Sequence, residues 1–314
     1  AGLGRLAADA SVVEEYAAHL GATLAGRSLD GLAVVLDCGH GAASVVAPAV
    51  VRAAGAKVEV IGAEPDGTNI NKGCGSTDLG PLRRAVVDQG AAVGLAFDGD
   101  ADRVLAVDER GGVVDGDHLI ALCALDLRRR GDLAGDTVVV TVMTNLGFRL
   151  AMQAEGVAVH ETPVGDRHVL EALDAHGWSL GGEQSGHLIF RHLATTGDGI
   201  LTGLQLLDLL ARTGRPLSEL AAAAMTRVPQ VLRNVRVAAR VDGSEAAVAL
   251  APAVEAEQAR LGNAGRILVR PSGTEPVVRV MVEAPDQEEA EAVAGRLAAE
   301  VERALGRAWP FSSR

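Results

Sequence analysis

Residues 93–107 read VGLAFDGDADRVLAV, and this stretch decides how the rest of the chain is interpreted. One apolar run precedes three alternating aspartates and a second follows them, which predicts a strand, a loop and a strand. Small residues separate the acids, so a tight loop can turn Asp98, Asp100 and Asp102 to the same side. Three converging carboxylates repel one another unless a hard cation neutralises them. The all-oxygen set therefore favours Mg²⁺ or Ca²⁺ over softer metals.

Other interpretations of this loop remain open from the residues alone. An EF-hand would use the three aspartates and Glu109 as ligands, but Arg103 stands where its turn needs glycine, and the flanks resemble strands. A phosphatase of the Asp-x-Asp type would use Asp98 as nucleophile. A polar surface turn would explain one or two acids better than three in register beside an arginine. Arg103 favours an anion beside the metal, because a guanidinium can bind phosphate oxygens in a forked geometry, and metal-assisted phosphate chemistry is the interpretation adopted.

Composition limits the classes of partner. The 314 residues are 48% hydrophobic but only 2% aromatic, so we expect cores built from Ala, Val and Leu. The formal net charge of −12 disfavours nucleic acid and an anionic membrane surface as partners. The three cysteines have no metal-like spacing, which suits a reducing compartment, and no apolar run is long enough to cross a membrane. We therefore expect a cytoplasmic protein.

The order of the elements predicts the fold class. Strands alternate with helices through residues 1–226, which predicts two doubly wound α/β domains with mixed, mainly parallel sheets, at 1–112 and 113–226. Ligands of such sheets lie at the carboxyl ends of the strands, where the aspartate loop is also expected. Residues 227–314 carry more strands, which predicts a smaller α+β domain with an antiparallel sheet.

A second loop carries hydrogen-bonding side chains between glycines. Residues 181–187 read GGEQSGH, and Glu183, Ser185 and His187 offer donors and acceptors suited to the vicinal hydroxyls of a sugar. The flanking glycines are expected to let backbone approach a ligand closely. Upstream, Asp166 and Arg167 open a helix, where they either cap the helix or contact a ligand.

A third loop joins two strands of the last domain. Residues 270–276 read RPSGTEP, and Arg279 follows closely. Arg270, the hydroxyls of Ser272 and Thr274, and backbone N–H groups around Gly273 form a candidate phosphate nest in an otherwise acidic protein. A plain hairpin turn is the alternative.

Taken together, the three loops resemble those of the α-D-phosphohexomutases over essentially the whole chain. Residues 98–103 resemble the metal loop of that family, residues 182–187 its sugar loop and residues 270–276 its phosphate loop, in the same order and with similar spacing. Gln184 within the sugar loop favours the branch of the family that acts on amino-sugar phosphates.

The resemblance implies a reaction and a role for each loop. The reaction interconverts glucosamine 6-phosphate and glucosamine 1-phosphate through a phosphoserine and a 1,6-bisphosphate, and supplies UDP-N-acetylglucosamine and cell-wall precursors. The metal loop would bind Mg²⁺ as cofactor, and Arg103 would stabilise charge on the transferring phosphoryl group. The remaining assignments are substrate contacts by Glu183, Ser185, His187, Asp166, Arg167, Arg270, Ser272, Gly273, Thr274 and Arg279, with His187 also assisting orientation or proton transfer.

One feature of the family is not found in these residues. Its catalytic serine lies in a segment that reads Ser-His-Asn, and no serine here is followed by His-Asn. The resemblance therefore implies an additional N-terminal domain that carries the serine, and predicts that this chain alone turns nothing over. The expected partners are a phosphorylated amino sugar and that domain, and the resemblance leaves room for a homodimer.

Overall fold

The computed structural model of the chain describes residue 9, residues 11–272 and residues 275–305. Within them, five short strands form a sheet in the order β2-β1-β3-β4-β5. Strands β1, β2 and β3 are parallel, while β4 and β5 run antiparallel to their neighbours. The strands are β1 (Ala33–Asp37), β2 (Lys57–Ile61), β3 (Val93–Phe97), β4 (Val104–Asp108) and β5 (Val113–Val114).

Strand β3 delivers the aspartate loop. All five of its residues are buried, which matches its uninterrupted apolar sequence. Burying a side chain such as Leu95 or Phe97 contributes about 1.5–3 kcal/mol to the stability of the fold. The loop therefore begins at the end of a strand that the core holds in place. The helices that precede or pack on this sheet are α1 (Ser11–Ala22), α2 (Ala43–Ala53) and α3 (Gly80–Gln89).

A second sheet has four strands in the order β7-β6-β8-β9, of which the first three are parallel and β9 is antiparallel. Its strands are β6 (Thr137–Thr141), β7 (Ala158–Thr162), β8 (Leu180–Gly182) and β9 (Leu188–Phe190). The accompanying helices are α4 (Gly116–Arg130), α5 (Leu146–Ala154), α6 (Asp166–His176), α7 (Gly199–Thr213) and α8 (Leu217–Ala224). Helix α4 contacts β4 and β8, and α7 contacts β3 and β9, so these two helices join both sheets to one core.

The last part of the chain forms an antiparallel sheet in the order β10-β12-β11. Its elements are β10 (Gln230–Arg236), α9 (Gly243–Leu261), β11 (Arg266–Pro271), β12 (Val277–Glu283) and α10 (Gln287–Leu305). Both helices pack on one face of the sheet, around a core that includes Val278, Val280 and Leu297.

The predicted fold class is confirmed, with two mixed, mainly parallel sheets followed by an antiparallel one. By contacts the chain divides into two compact units. Unit 1 comprises Ala1–Thr144 and Phe148–Thr226, and unit 2 comprises Asn145–Gly147 and Arg227–Arg314. The division into three domains remains a prediction. The sequence patterns missed α8 and the short strands β5 and β8. No helix among the described residues has the length and apolar character needed to cross a membrane.

Candidate metal centre and sugar loop

The metal loop, residues 98–103, connects the end of β3 to the start of β4, as its pattern predicted. One carboxylate oxygen from each of Asp98, Asp100 and Asp102 lies within 4.8 Å of the others. The turn that brings them together places Ala101 at φ +63°, a left-handed conformation that a small side chain tolerates best. Two backbone groups hold it: Ala101 N–H donates to Asp98 O at 3.2 Å, and Arg103 N–H donates to Asp98 Oδ1 at 3.2 Å.

The electrostatics of this loop favour a bound cation. Asp98 is only 9% exposed, and burial, followed by the negative charge of Asp102, raises its pKa to about 6. Oδ1 of Asp102 is buried and accepts no hydrogen bond from any described residue. A buried carboxylate oxygen without a donor is costly unless a cation satisfies it. The three carboxylates therefore fit a hard divalent ion such as Mg²⁺.

Arg103 lies beside the acids without being bound tightly by them. Its Nε is 3.9 Å from Asp98 Oδ2 and 3.7 Å from Asp102 Oδ1, both too long for hydrogen bonds, and its side chain is 47% exposed. Its guanidinium therefore keeps donors available for an anion next to the metal loop.

The sugar loop, residues 182–187, contacts the metal loop directly. Val104 N–H donates to Gly186 O at 3.1 Å, and His187 Nδ1 lies 3.1 Å from Asp102 Oδ2. Gly186 has φ +93°, and a Cβ added to it would overlap the carbonyl of Val104. No local pattern in the sequence indicates these contacts, because the paired residues are more than 80 positions apart.

Within the sugar loop, the candidate hydroxyl-binding residues differ in their surroundings. Glu183 is partly exposed and accepts a hydrogen bond from Gly165 N–H at 3.0 Å through Oε1. Ser185 Oγ is buried and has no hydrogen-bond partner among the described residues. His187 is 2% exposed. Their contact with a substrate remains a prediction.

The interpretation of Gly181 and Gly182 as glycines that face a ligand was wrong. Gly181 and Gly182 lie in β8, and both are buried. A Cβ on Gly182 would lie 2.6 Å from His187 O, and one on Gly181 would lie 2.9 Å from Val139 O. These glycines therefore allow neighbouring backbone to pack closely within the sheet, and the structure assigns them no approach to a ligand.

The capping interpretation of residues 166–168 also needs correction. Helix α6 starts at Asp166 after Gly165, which has no side chain to act as a cap, and Asp166 Oδ1 accepts from the N–H of the adjacent Arg167 at 2.7 Å. Arg167 instead donates to Glu171 Oε1 at 2.7 Å on the exposed face of the helix. Ligand contact by Asp166 and Arg167 remains a prediction.

A supporting segment at the start of α7 lies beside the metal loop. Asp198 does cap α7, since it accepts from Leu201 N–H at 2.9 Å. It also accepts from the hydroxyl of Tyr16 at 2.8 Å, and Gly199 N–H donates to Ala101 O at 2.9 Å. The start of α7 therefore supports the turn of the metal loop from a distant part of the sequence.

The flanks of the metal loop and the contacts of Glu109 exclude the EF-hand alternative. Strands flank the loop on both sides, and both Glu109 oxygens accept hydrogen bonds from Ser218. Glu109 therefore cannot act as the bidentate twelfth ligand that an EF-hand requires.

In unit 2, the described part of the phosphate loop shows two facing arginines. Arg270 and Arg279 are direct partners across β11 and β12, and neither forms an ion pair with an acid in the described residues. Burial, followed by the positive charge of Arg279, lowers the pKa of Arg270. Ser272 is buried, while Gly273 and Thr274 lie outside the described residues. Like charges placed directly opposite each other are destabilising, so this pair suits an anion.

Comparison with known protein families gives three matches in chain order. Residues 14–112 match phosphoglucomutase/phosphomannomutase α/β/α domain II, residues 115–228 match α/β/α domain III, and residues 232–300 match the C-terminal domain. These matches cover the metal, sugar and phosphate loops in turn.

Curated relatives share more than half of their aligned residues with this chain. Phosphoglucosamine mutase of a Nocardioides species is 58% identical over 303 residues, which cover 96% of this chain and 67% of the relative. Phosphoglucosamine mutase of Streptomyces avermitilis is 56% identical over 98% of this chain and 67% of the relative. That of Frankia alni is 58% identical over 97% of this chain and 66% of the relative. The chain thus spans about two thirds of the length of these relatives.

Solved structures show the same fold at lower identity. A phosphoglucomutase/phosphomannomutase family protein of Burkholderia thailandensis superposes with a TM-score of 0.77 at 23% identity, over 96% of this chain and 66% of its own. An Aspergillus fumigatus N-acetylphosphoglucosamine mutase, solved in complex with GlcNAc-6P and magnesium, gives a TM-score of 0.75 at 23% identity, over 94% of this chain and 66% of its own.

Proposed function

Because the chain belongs to the phosphoglucomutase/phosphomannomutase family, we propose that it is part of an enzyme that interconverts glucosamine 6-phosphate and glucosamine 1-phosphate. Within the family the chain groups with the phosphoglucosamine mutases. It would supply the metal-binding and substrate-binding parts of the enzyme. The observation that carries the proposal is the convergence of three aspartate oxygens within 4.8 Å, with Arg103 beside them. This arrangement can neutralise a phosphoryl group during its transfer.

Each unit contributes its own chemistry to the proposal. In unit 1, Asp98, Asp100 and Asp102 would hold Mg²⁺, which supplies positive charge to a transferring phosphoryl group when bound. Arg103 would bind oxygens of that group through its unpaired donors, and Glu183 would accept hydrogen bonds from sugar hydroxyls. In unit 2, Arg270 and Arg279 would bind the phosphate that is not reacting, because an anion relieves their mutual repulsion.

The reaction also requires a covalent phosphoryl carrier. Direct transfer between O6 and O1 of one sugar is geometrically implausible, so a nucleophile must hold the phosphoryl group between the two steps. The family uses a serine in a Ser-His-Asn segment for this purpose, and the 314 residues contain no such segment. We therefore propose that these residues bind metal and phosphosugar without turning substrate over.

Binding experiments test the two site assignments separately. Asp100→Asn removes one charge at nearly constant volume and should weaken Mg²⁺ binding in calorimetry, whereas Asp88→Asn on the exposed face of α3 should not. Arg270→Ala should weaken binding of glucosamine 6-phosphate by about 2 kcal/mol, roughly 30-fold, because a charged hydrogen bond is lost. Arg236→Ala, an exposed arginine of β10, is its control. Unchanged affinities in Asp100→Asn and Arg270→Ala would contradict both assignments.

A turnover experiment tests the need for a carrier. The 314-residue chain is supplied with Mg²⁺, glucosamine 6-phosphate and a catalytic amount of the 1,6-bisphosphate, and glucosamine 1-phosphate is followed by ³¹P NMR. We expect no turnover above that of a variant in which all three aspartates are changed to asparagine. Turnover above that control would show that a residue of this chain carries the phosphoryl group. Joining the chain to a serine-bearing segment should restore activity, with glucosamine phosphate preferred over mannose and glucose phosphates.

A further inference from the structure

The environment of His187 differs from that of a residue that meets substrate. Its side chain is 3% exposed, although it follows the sugar loop residues Glu183 and Ser185 in sequence. One ring nitrogen faces the metal loop and the other faces the segment before α7. The ring therefore lies between two parts of unit 1 and does not face solvent.

The nitrogen that faces the metal loop has a defined partner. His187 Nδ1 lies 3.1 Å from Oδ2 of Asp102. A carboxylate oxygen can only accept a hydrogen bond, so Nδ1 must carry the proton and donate it. This bond restrains one of the two oxygens of Asp102.

The opposite side of the ring is closed by a glycine. A Cβ built on Gly197 would overlap Cε1 and Nε2 of the imidazole, so only glycine leaves room for the ring in this position. Nε2 has no hydrogen-bond partner among the described residues. A buried N–H without an acceptor is rarer in proteins than a buried acceptor without a donor, which again assigns the proton to Nδ1.

The two oxygens of Asp102 differ in their surroundings. Oδ1 is buried and accepts no hydrogen bond from a described residue, whereas Oδ2 is held by the histidine. Histidines and carboxylates that hold a metal ligand through its second atom fix the orientation of that ligand, and losing them costs about 10- to 100-fold in metal affinity.

We propose that His187 is a positioning residue of the metal loop: its Nδ1–H holds Oδ2 of Asp102 and leaves Oδ1 for the divalent cation, while Gly197 fixes the plane of the ring. This inference rests on the proposed metal site. It gives His187 a role that needs no contact with the sugar. It also makes the sugar loop part of the structure that determines metal affinity.

Atom-specific replacements of His187 test the proposal. The amide nitrogen of asparagine occupies nearly the position of Nδ1, whereas that of glutamine occupies nearly the position of Nε2. In calorimetric titrations of the full chain with Mg²⁺, His187→Asn should stay within about threefold of the unsubstituted chain. His187→Gln and His187→Ala should bind about 10-fold more weakly or worse. His168→Gln, on the exposed face of α6, is the matched control and should bind normally.

Thermal unfolding without metal separates positioning from general stability. A purely structural role predicts that Mg²⁺ affinity falls in proportion to the loss of Tm, with no preference for asparagine over glutamine. We expect asparagine to restore affinity even if its Tm is as low as that of glutamine. Gly197→Ala should also weaken Mg²⁺ binding, although it alters no ligand and no polar group.

The outcomes distinguish this inference from the proposed function. If the unsubstituted chain binds Mg²⁺ and Asp100→Asn does not, but His187→Gln binds as tightly as His187→Asn, then the positioning role is wrong and the metal site stands. If the unsubstituted chain binds no Mg²⁺, both are wrong. Should the variants fail to fold, ¹⁵N NMR of the unsubstituted chain decides: a His187 proton on Nε2 in the metal-free chain would overturn the proposal.

Discussion

At the scale of single residues, the candidate site depends on places where backbone approaches backbone. Gly186 lies against Val104, whose N–H donates to the Gly186 carbonyl at 3.1 Å, so one residue of the sugar loop is fixed to the strand that follows the metal loop. Two requirements meet at Gly186, namely φ +93° and space for the Val104 carbonyl. Each excludes a larger side chain for its own reason.

A pair of glycine substitutions separates these two requirements. Gly131 ends α4 at φ +76°, and no atom lies near a Cβ built on it. Gly131→Ala should therefore lose only the stability that a left-handed backbone conformation costs a residue with a Cβ, about 1 kcal/mol. Gly186→Ala must also displace the Val104 carbonyl, and we expect a loss of about 3 kcal/mol or more. Urea unfolding of both variants measures the difference. Equal losses would show that the close contact with Val104 contributes nothing.

At the scale of elements, side-chain hydrogen bonds hold the start of one helix and join a pair of helices. The start of α7 combines a cap by Asp198 with a hydrogen bond from the hydroxyl of Tyr16, which burial and the charge of Asp198 hold in its protonated form by raising its pKa. In unit 2, α9 and α10 are joined by Glu257 and Arg296, whose forked hydrogen bonds measure 2.7 and 2.8 Å. The hydrogen bond from Arg296 is the main cause that lowers the pKa of Glu257.

The Glu257–Arg296 pair predicts a pH dependence with a definite sign. Because the folded-state pKa of Glu257 is below its ordinary value of 4.5, its stabilisation is fully present above pH 4.5 and is lost as the pH falls through the lowered pKa. We expect Glu257→Gln to cost about 1 kcal/mol at neutral pH, a modest value because Arg296 is half exposed. The cost should disappear once the pH has fallen below the lowered pKa of Glu257. Hydrogen exchange of α9 and α10 at neutral pH and in acid measures it.

The control for this experiment is Glu302→Gln, an exposed glutamate of α10. It should leave exchange unchanged at neutral pH and in acid. A cost of Glu257→Gln that persists in acid would show that packing of the glutamate stem, and not its charge, is the source of the effect.

At the scale of the whole molecule, the chain consists of two compact units, and unit 2 contains a fully buried carboxylate. Glu283 is fully buried at the end of β12 and accepts hydrogen bonds from four donors of unit 2. These donors are Asn145 Nδ2 at 3.0 Å, Leu146 N–H at 3.2 Å, Gln230 Nε2 at 3.0 Å and Arg266 Nε at 2.8 Å. A buried charge with this many donors is stable only while all of them remain.

Removing this carboxylate should destabilise one unit selectively. Glu283→Ala removes the buried carboxylate that accepts from the guanidinium of Arg266, and removing one member of a buried charged pair costs about 3–5 kcal/mol. Hydrogen exchange should show lost protection in β10, β11, β12 and residues 145–147, while β1 and β3 of unit 1 keep theirs. Glu302→Ala serves as control. Loss of protection spread equally over both units would contradict the independence of the two cores.

The sequence by itself determined the longer strands, the fold class and the position of the metal loop. Strand β3 could be identified because a run of five apolar residues fits a short strand buried on both faces, and three aspartates separated by small residues can converge within one turn. The cap at Asp198 was likewise visible locally. Each of these features depends on neighbours along the chain, which a sequence pattern records.

Only the tertiary structure decided which residues support the site. His187 meets Asp102 across 85 positions and Glu283 meets Asn145 across 138, and no periodicity or spacing encodes either pair. The same limit explains why Gly181 was mistaken for a ligand-facing glycine, since the carbonyl that excludes a side chain there belongs to Val139 of another strand. Hydrogen-bonding partners and close contacts depend on how the sheets and helices pack. Packing is a property of the assembled chain, because many different distant segments would satisfy the same local pattern.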